Sequence, residues 1–441
     1  MSQQFCDVAV VGGGPAGCMA AIGAKLANPD LDVMLIDREN TRRHRIGEAM
    51  LTGTVMTLAD AGLAEDLAKE DFHLKIGAAY RWGADEDVWF VNYPEADTPY
   101  PAAFTHDTGR YALHAPRHEF DSWLGRMAIK RDVRVLADRA VELNVNHSEF
   151  GAQILSIRTE GGAKIRARHY IDATGQGALF ARHLTKRHKV GGSRIARYGY
   201  TAQVDWDHAA KWGFDPHRTN IIASDEGWFW VIHLGERGQD LTSIGFVSVP
   251  EVIKSLTPDN VADAFPELDR FGFGDGIKGL SDVFGEPMDR FYGHPDYSYQ
   301  CEQLEGPNWA LAGDAALFID PILSQGVTLA AHYGFLRGKG AAAHLEGNHE
   351  AQPSVTRHYR NESAILKQVV GQWYGANRTA GAWRETAVNL GKELYGIELE
   401  PVEAFRWLTN LENLRDEYDP FPADVRADIA KHLEGETSGT D

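Results

Sequence analysis

Three glycines and an acid are the first residues whose types and spacing can do chemistry. Gly12, Gly14 and Gly17 form a G-x-G-x-x-G turn between a predicted strand and a predicted helix. The first glycine permits the tight turn, the second lets backbone approach a pyrophosphate, and the third allows close packing of helix on sheet. The helix N-terminus adds N–H donors and a positive dipole suited to phosphate. Asp37 closes the next strand about twenty residues on, where a carboxylate can take a ribose hydroxyl. Two further strand ends carry small residues. Residues 170–175 read YIDATG and end at Gly175, and residues 311–314 read LAGD and end at Gly313 and Asp314. Three such ends can converge on one extended ligand, a reach that suits FAD, which is longer than one βαβ crevice. Asp314 has a second reading, as the cap of a helix that follows.

The elements needed to hold these residues are legible in the hydrophobic pattern. Residues 6–11 read as a strand, 18–26 as a helix and 33–36 as a second strand, a βαβ start. Residues 54–67 have helical spacing, and 120–129 form an amphipathic helix. Segments 75–93, 195–204, 228–234 and 242–249 favour strands of a second sheet, while 133–135, 165–171 and 308–312 return to the first. Beyond residue 346 the pattern turns helical and polar, and residues 435–441 read as a frayed tail. The expected fold is α/β (mixed α+β): a Rossmann-like FAD-binding domain, an inserted antiparallel β-sheet substrate domain and a C-terminal helical region. The boundaries are 1–74, 110–190 and 296–345 for the first, 75–109 and 191–295 for the second, and 346–441 for the third.

Composition narrows the class. The 441 residues carry 44 Lys+Arg against 63 Asp+Glu, a formal charge of −19, which argues against nucleic acid and against an anionic membrane surface. With 43% hydrophobic and 24% charged residues the chain is globular in composition. Three scattered cysteines fit neither a disulfide framework nor a metal site, so no metal is expected. No secretory leader and no apolar run of membrane length is present, so a soluble cytoplasmic protein is expected.

From the N-terminus to about residue 345 the sequence resembles the FAD-dependent monooxygenase superfamily, and within it the flavin-dependent halogenase-like branch. The resemblance rests on GGGPAG (residues 12–17), RIGEAMLTG (45–53), KIGAAYRWG (75–83), WFWVIH (228–233) and FIDPILSQG (318–326). It implies FAD as cofactor, with Lys75 at the place of the halogenases' active-site lysine. Three positions depart from the pattern. His233 stands where the halogenase motif has proline, Ala49 where serine is usual, and Leu323 where tryptophan halogenases carry a glutamate. Relatives in this branch include monooxygenases and flavoproteins that hydroxylate a protein-bound tryptophan during quinone cofactor biogenesis.

Physical chemistry assigns roles to the matched residues. A lysine in an apolar tunnel can donate a hydrogen bond to an oxidant, and burial lowers its pKa; Lys75 reads equally as an exposed strand lysine. Trp228 and Trp230 share one strand face, as a wall between flavin and substrate or as sheet packing. His233 is a candidate general base or a structural strand histidine. Backbone N–H groups after Pro321, at Gln325 and Gly326, can hold negative charge at the flavin edge. Arg45 and Arg117 are candidates for the FAD phosphates or ribityl chain, set apart from the solvated run Arg42, Arg43 and His44. Glu48 either meets the flavin or caps a helix starting near Leu51. The favoured expectation is hydroxylation of an electron-rich ring, tryptophan or indole, free or within a peptide or protein. The alternative is halogenation of an indole, pyrrole or phenol, and a reductive flavoprotein is the third reading. Electrons come from NAD(P)H or a partner flavin reductase. The C-terminal aromatics Trp373, Tyr374, Trp383, Tyr395 and Trp407 cover the substrate opening or pack helices.

Overall fold

A computed structural model describes residues 3–38, 45–82, 87–93, 100–106, 109–149, 151–236, 240–257, 259–283, 285–286, 290–294, 298–374, 379–395 and 399–410. The basic run at 42–44 and the tail at 435–441 lie outside the described residues, as do the side chains of Tyr395 and Trp407.

The first sheet has eight strands. Its centre is the strand Gln3–Val11, paired in parallel with Val33–Asp37 on one side and Lys164–Asp172 on the other. Trp309–Leu311 pairs in parallel with the end of Lys164–Asp172. Val8 to Val11 are buried throughout, as a strand covered on both faces must be. A long hairpin, Ala140–Ser148 with Gly151–Thr159, extends the edge and was not expected from the sequence. Its first strand is largely exposed, with Glu142, Asn144 and Asn146 alternating with Val141, Leu143 and Val145.

The second sheet has seven strands, in the order Tyr292–His294, Ile195–Thr201, Asp240–Ser248, Gly227–Glu236, Arg218–Ser224, Gly77–Arg81 and Trp89–Asn92. All its pairings are antiparallel except that of Arg218–Ser224 with Gly77–Arg81, which is parallel. That pair joins segments far apart in sequence, so no hairpin constrains their direction. The helix expected over 54–67 is two pieces, Thr52–Asp60 and Ala64–Leu67. Gly62 between them sits at φ +66°, which ends the first helix. The C-terminal helices are Ala351–Trp373, Ala380–Tyr395 and Pro401–Asn410. No helix among the described residues is long and apolar enough to cross a membrane, and the three cysteines are buried and free.

Two helices on one face of the first sheet, Pro15–Ala27 and Gly326–Leu345, touch backbone to backbone. A Cβ on Gly338 would lie 1.9 Å from Ala20 O, one on Gly334 2.2 Å from Ala16 O, and one on Gly23 2.3 Å from Phe335 O. Only glycine fits at these crossings. Gly338→Ala should therefore lower the unfolding free energy by about 1–3 kcal/mol in denaturant titration. Gly125, inside the helix Arg117–Ile129, has nothing within 4 Å of its notional Cβ. There the same change should stabilise, by about 0.5–1 kcal/mol.

Candidate active site

The parallel strands end at one edge, and a cleft opens there. Register places Val11 opposite Asp172, and Asp172 opposite Leu311, so the turns at Gly12, Ala173 and Ala312 are neighbours. Gly12 adopts φ +106°, and a Cβ on it would lie 2.3 Å from Ala173 O. Gly17 supports this turn from beneath, its notional Cβ only 1.7 Å from Gly12 O. The helix Pro15–Ala27 starts at Gly14 without a side-chain cap, so its first N–H groups are left for another acceptor. Asp37 reaches the same turn: a Cβ on Gly13 would fall 2.5 Å from its Oδ2. Asp172 shapes the neighbouring turn, accepting from Thr174 N at 2.9 Å, Thr174 Oγ1 at 2.7 Å and Phe180 N at 2.6 Å. Gly175 follows at φ +64° with open space where a side chain would stand.

Of the residues singled out in the sequence, Gly12, Gly14, Asp37, Arg45, Glu48, Arg117, Gly175, Asp314, Pro321, Gly326, Trp228 and Trp230 line this one cleft, of about 490 Å³. Gly17, Gly313 and Gln325 stand behind it. Gly313 is at φ +58° and packs on Ala16 and Ala330. Gln325 is buried at the start of the helix Gly326–Leu345. His233 lines no part of the cleft. It lies on the strand face opposite Trp228 and Trp230, with its Nδ1 3.1 Å from Asp240 Oδ1. The geometry therefore removes it from contact with anything bound in the cleft.

Charge is concentrated along the cleft wall. Arg117 donates through Nη1 to Ile46 O at 2.8 Å and through Nε to Asp121 Oδ1 at 3.0 Å. Arg45, more exposed, shares Asp121 at 3.4 Å. Glu48 accepts from Tyr200 OH at 2.7 Å. Burial pushes its carboxyl up to about 7, against the opposing bonds from Ser243 and Tyr200 and the charge of Arg117. It does not cap a helix, since the helix Thr52–Asp60 begins after Leu51 with no side-chain cap. Burial likewise pushes Asp314 up to about 6, with Arg117 and Arg45 acting the other way. Asp314 lies within the short turn Gly313–Ala315 and does not cap the long helix, which begins after Gln325.

These residues fit FAD. The side-chain-free cradle at Gly12–Gly14, the uncapped helix start and Arg45 suit the phosphates, Asp37 suits a ribose, and Pro321 to Gly326 border the far end.

Lys75 stands in a second, much smaller chamber with Leu51, Tyr80, Tyr93, Ile322, Leu323 and Thr409. Its side chain is 1% exposed and its Nζ donates to Met50 O at 3.0 Å. Thr219, Ile221 and Ser324 line both the chamber and the cleft, so the two spaces adjoin across these three residues. Ser324 holds a left-handed φ of +58°, a strained conformation for a residue with a side chain. Thr219 and Ser324 escaped sequence reasoning because neither is flanked by a motif whose chemistry depends on a hydroxyl.

Trp228 and Trp230 present their rings to the cleft, while Phe229 packs on Phe246 and Phe265 behind. Trp228 Nε1 donates to Tyr374 OH at 3.0 Å, and Tyr374 OH donates to Asp320, 3.0 Å from Oδ1. The Arg194 guanidinium lies 3.6 Å over the Tyr374 ring. Tyr374 therefore ties the helix Ala351–Trp373 to the cleft wall and to the 318–326 segment together. Trp373 and Trp383 stack at 4.8 Å and are core.

Residues 7–187 match the family model for FAD dependent oxidoreductases. The chain is 28% identical over 405 residues to a tryptophan 2-halogenase of Chondromyces crocatus, covering 88% of this chain and 72% of that one. It is 25% identical over 395 residues to a Pseudomonas fluorescens enzyme that chlorinates 1H-pyrrole-2-carbonyl on a peptidyl carrier protein, covering 85% and 83%. The structure of the myxobacterial chondrochloren halogenase superposes with a TM-score of 0.71 at 26% identity, covering 86% and 85%.

A cradle built this tightly makes a direct prediction. Gly12→Ala should purify without flavin absorbance while keeping its far-UV circular dichroism; retained flavin would contradict the assignment. The cleft, the matched residues and these relatives agree: residues 7–187 match an FAD dependent oxidoreductase, and the chain as a whole is similar to the flavin-dependent halogenases.

Proposed function

We propose that the protein is a flavin-dependent halogenase of an electron-rich aromatic ring: an indole, a pyrrole or a phenol. The observation that carries this reading is that Lys75 stands apart from the FAD cleft, in a separate small space that shares only the wall residues Thr219, Ile221 and Ser324 with it. A ring hydroxylase must bring its substrate against the flavin itself. A halogenase needs only a small oxidised halogen to travel, and a small adjoining space suits such a traveller. The relatives favour the same side, since the two enzymes compared above halogenate tryptophan and carrier-bound pyrrole. Hydroxylation, the first expectation from sequence, leaned on His233, which the fold turns away from the cleft.

FAD supplies, once reduced and in the presence of O₂ and halide, an electrophilic halogen equivalent such as hypohalous acid. The chain's residues do the rest. Trp228 and Trp230 wall the cleft against water, which would otherwise discharge the oxidant. Backbone N–H groups at the Pro321–Gly326 turn suit an anion there. In the chamber, Lys75 can donate from its amine to an oxygen or halogen of the incoming oxidant and hold it toward a ring. Tyr80, Tyr93 and Leu51 give that amine an apolar surround. The aromatic substrate is a free small molecule or one tethered to a carrier. The sequence holds no second glycine fingerprint, and a separate reductase drawing on NAD(P)H suits the supply of reduced flavin.

Two measurements test this. Purified protein with FAD, a reductant, O₂ and a panel of indoles, pyrroles and phenols should give products with a chlorine or bromine isotope pattern. Lys75→Ala should lower that yield by about 10²-fold or more while FAD stays bound. A product gaining only oxygen, whatever the halide, would sink the reading.

Burial of Lys75 also sets a pH signature, because it lowers the ammonium from 10.5 to about 7. The folded state then binds this proton less readily than the unfolded state. Stability present above pH 10.5 is lost as pH falls, and the loss is complete near 7. Lys75→Met should accordingly gain Tm over the parent as pH falls from 10.5 to 7, with no further gain below. A pH-independent Tm difference would mean that the lysine is not buried.

A further inference from the structure

Halogenation as proposed above consumes a proton. One halide ion, one aromatic C–H, O₂, one H⁺ and a reduced flavin with its two hydrogens become one aryl halide, two waters and oxidised flavin. Hydroxylation by the same reagents yields the phenol and one water and takes up none. At the place where this proton is needed, Lys75 and Thr219 are 1% and 2% exposed.

Thr219 offers a way in. It lies on the strand Arg218–Ser224 and lines both the cleft and the chamber. Its Oγ1 is 3.0 Å from Nε2 of His114, a residue with no exposed surface. The His114 ring lies beside the His233 backbone, yet its Nδ1 makes no hydrogen bond of ordinary geometry. His73 pairs with His114 across the two-stranded ladder, ring to ring at 6.0 Å with planes 12° apart. His73 in turn meets His217 at 4.5 Å and His233 at 4.6 Å. His217 is exposed, and His233 faces the half-exposed Asp240 at 3.1 Å. The four rings thus run from buried Thr219 to solvent. They are not a metal centre, since among the described residues no three His, Cys, Asp or Glu groups are placed to hold an ion.

Burial keeps the inner rings neutral. Burial holds His114 well below 6.5, with the charges of Lys75, His73 and His233 acting in the same direction and the His233 backbone against them; burial and the neighbours His233 and His217 take His73 to about 3, against its bond to the Pro216 backbone. A neutral imidazole accepts a proton at one nitrogen while releasing one from the other, so it conducts without storing charge.

The geometry points to a proton entry: His114, fed from the surface histidines, relays protons through the Thr219 hydroxyl to where the FAD cleft and the Lys75 chamber adjoin. This rests on the halogenation reading. A proton reaches His114 Nδ1 from the His73 side through one bridging water. Nε2 releases its proton to Thr219 Oγ1, whose own hydroxyl proton moves into the adjoining space. Return of the ring to its first tautomer resets the pair, and no electrons move. Thr219 is the group that touches both spaces, and His114 is a positioning residue acting through it.

The test uses the FAD-loaded protein and its FAD-free form. Thr219→Val and His114→Phe, assayed at saturating FAD, should slow halogenated product formation by about 10²-fold and raise the solvent isotope effect in D₂O. Thr219→Ser, which keeps the hydroxyl, should recover most of the rate. In the FAD-free protein, His73→Phe should slow exchange of the ¹⁵N-labelled His114 ring proton with water by about tenfold or more. If Thr219→Val matches the parent in rate and isotope effect, or His73→Phe leaves the exchange unchanged, the relay is overturned. Proton uptake separates the two failures. One proton per halogenated product, with variants like the parent, removes the relay alone; an oxygenated product with no uptake removes the halogenation reading and the relay with it.

Discussion

The backbone contact between the helices Pro15–Ala27 and Gly326–Leu345 governs the rest of the molecule. Gly23, Gly334 and Gly338 let the two helices meet with no side chain between them. Each helix starts at the cleft: one leaves the Gly12–Gly17 turn, the other the Pro321–Gly326 turn. Their crossing therefore fixes the separation of two cofactor-lining turns that are some three hundred residues apart in sequence. A side chain at the crossing would push both turns, and the cleft would change width before any residue in it was altered.

Onto that frame the second sheet brings a wall whose two faces do different work. Trp228 and Trp230 look into the cleft, while Phe229 joins an aromatic core with Phe246 and Phe265. The carboxyls nearest the flavin space, Glu48 and Asp314, are both raised by burial and face Arg117. A bound pyrophosphate brings negative charge to the same wall, so the guanidiniums of Arg117 and Arg45 must serve cofactor and protein acids together. That shared demand explains why Arg117 is held by three atoms, two on Asp121 and one on Ile46, and left little freedom.

What could be read from sequence was what is local. The G-x-G-x-x-G turn and the strand-end glycines announce themselves because backbone conformation demands glycine there, and Asp37 because its place at the end of the next strand suits a ribose-binding carboxylate. The Trp228–Trp230 face followed from the two-residue period of a strand. The same period, carried three residues further, places His233 on the opposite face, so the evidence against a flavin-side base was already in the spacing. The Lys75 chamber was out of reach, because its walls come from Leu51, Tyr80, Leu323 and Thr409, which only tertiary packing assembles. The 140–159 hairpin was legible and was missed: Val141, Leu143 and Val145 alternate with Glu142, Asn144 and Asn146 along its first strand, the two-residue period of a half-exposed strand. The helix expected over 54–67 ran past Gly62, whose left-handed φ ends the first piece.

Tyr374 has a consequence for anyone recombining this fold. It sits at the end of the helix Ala351–Trp373, yet its hydroxyl is shared by Trp228 of the second sheet and Asp320 of the flavin-side segment. The three structural units meet on a single oxygen atom. The C-terminal helices are thus not an exchangeable cover. A chimera that imports them from a relative keeps its cleft wall only if the tryptophan and the aspartate are inherited together with the tyrosine.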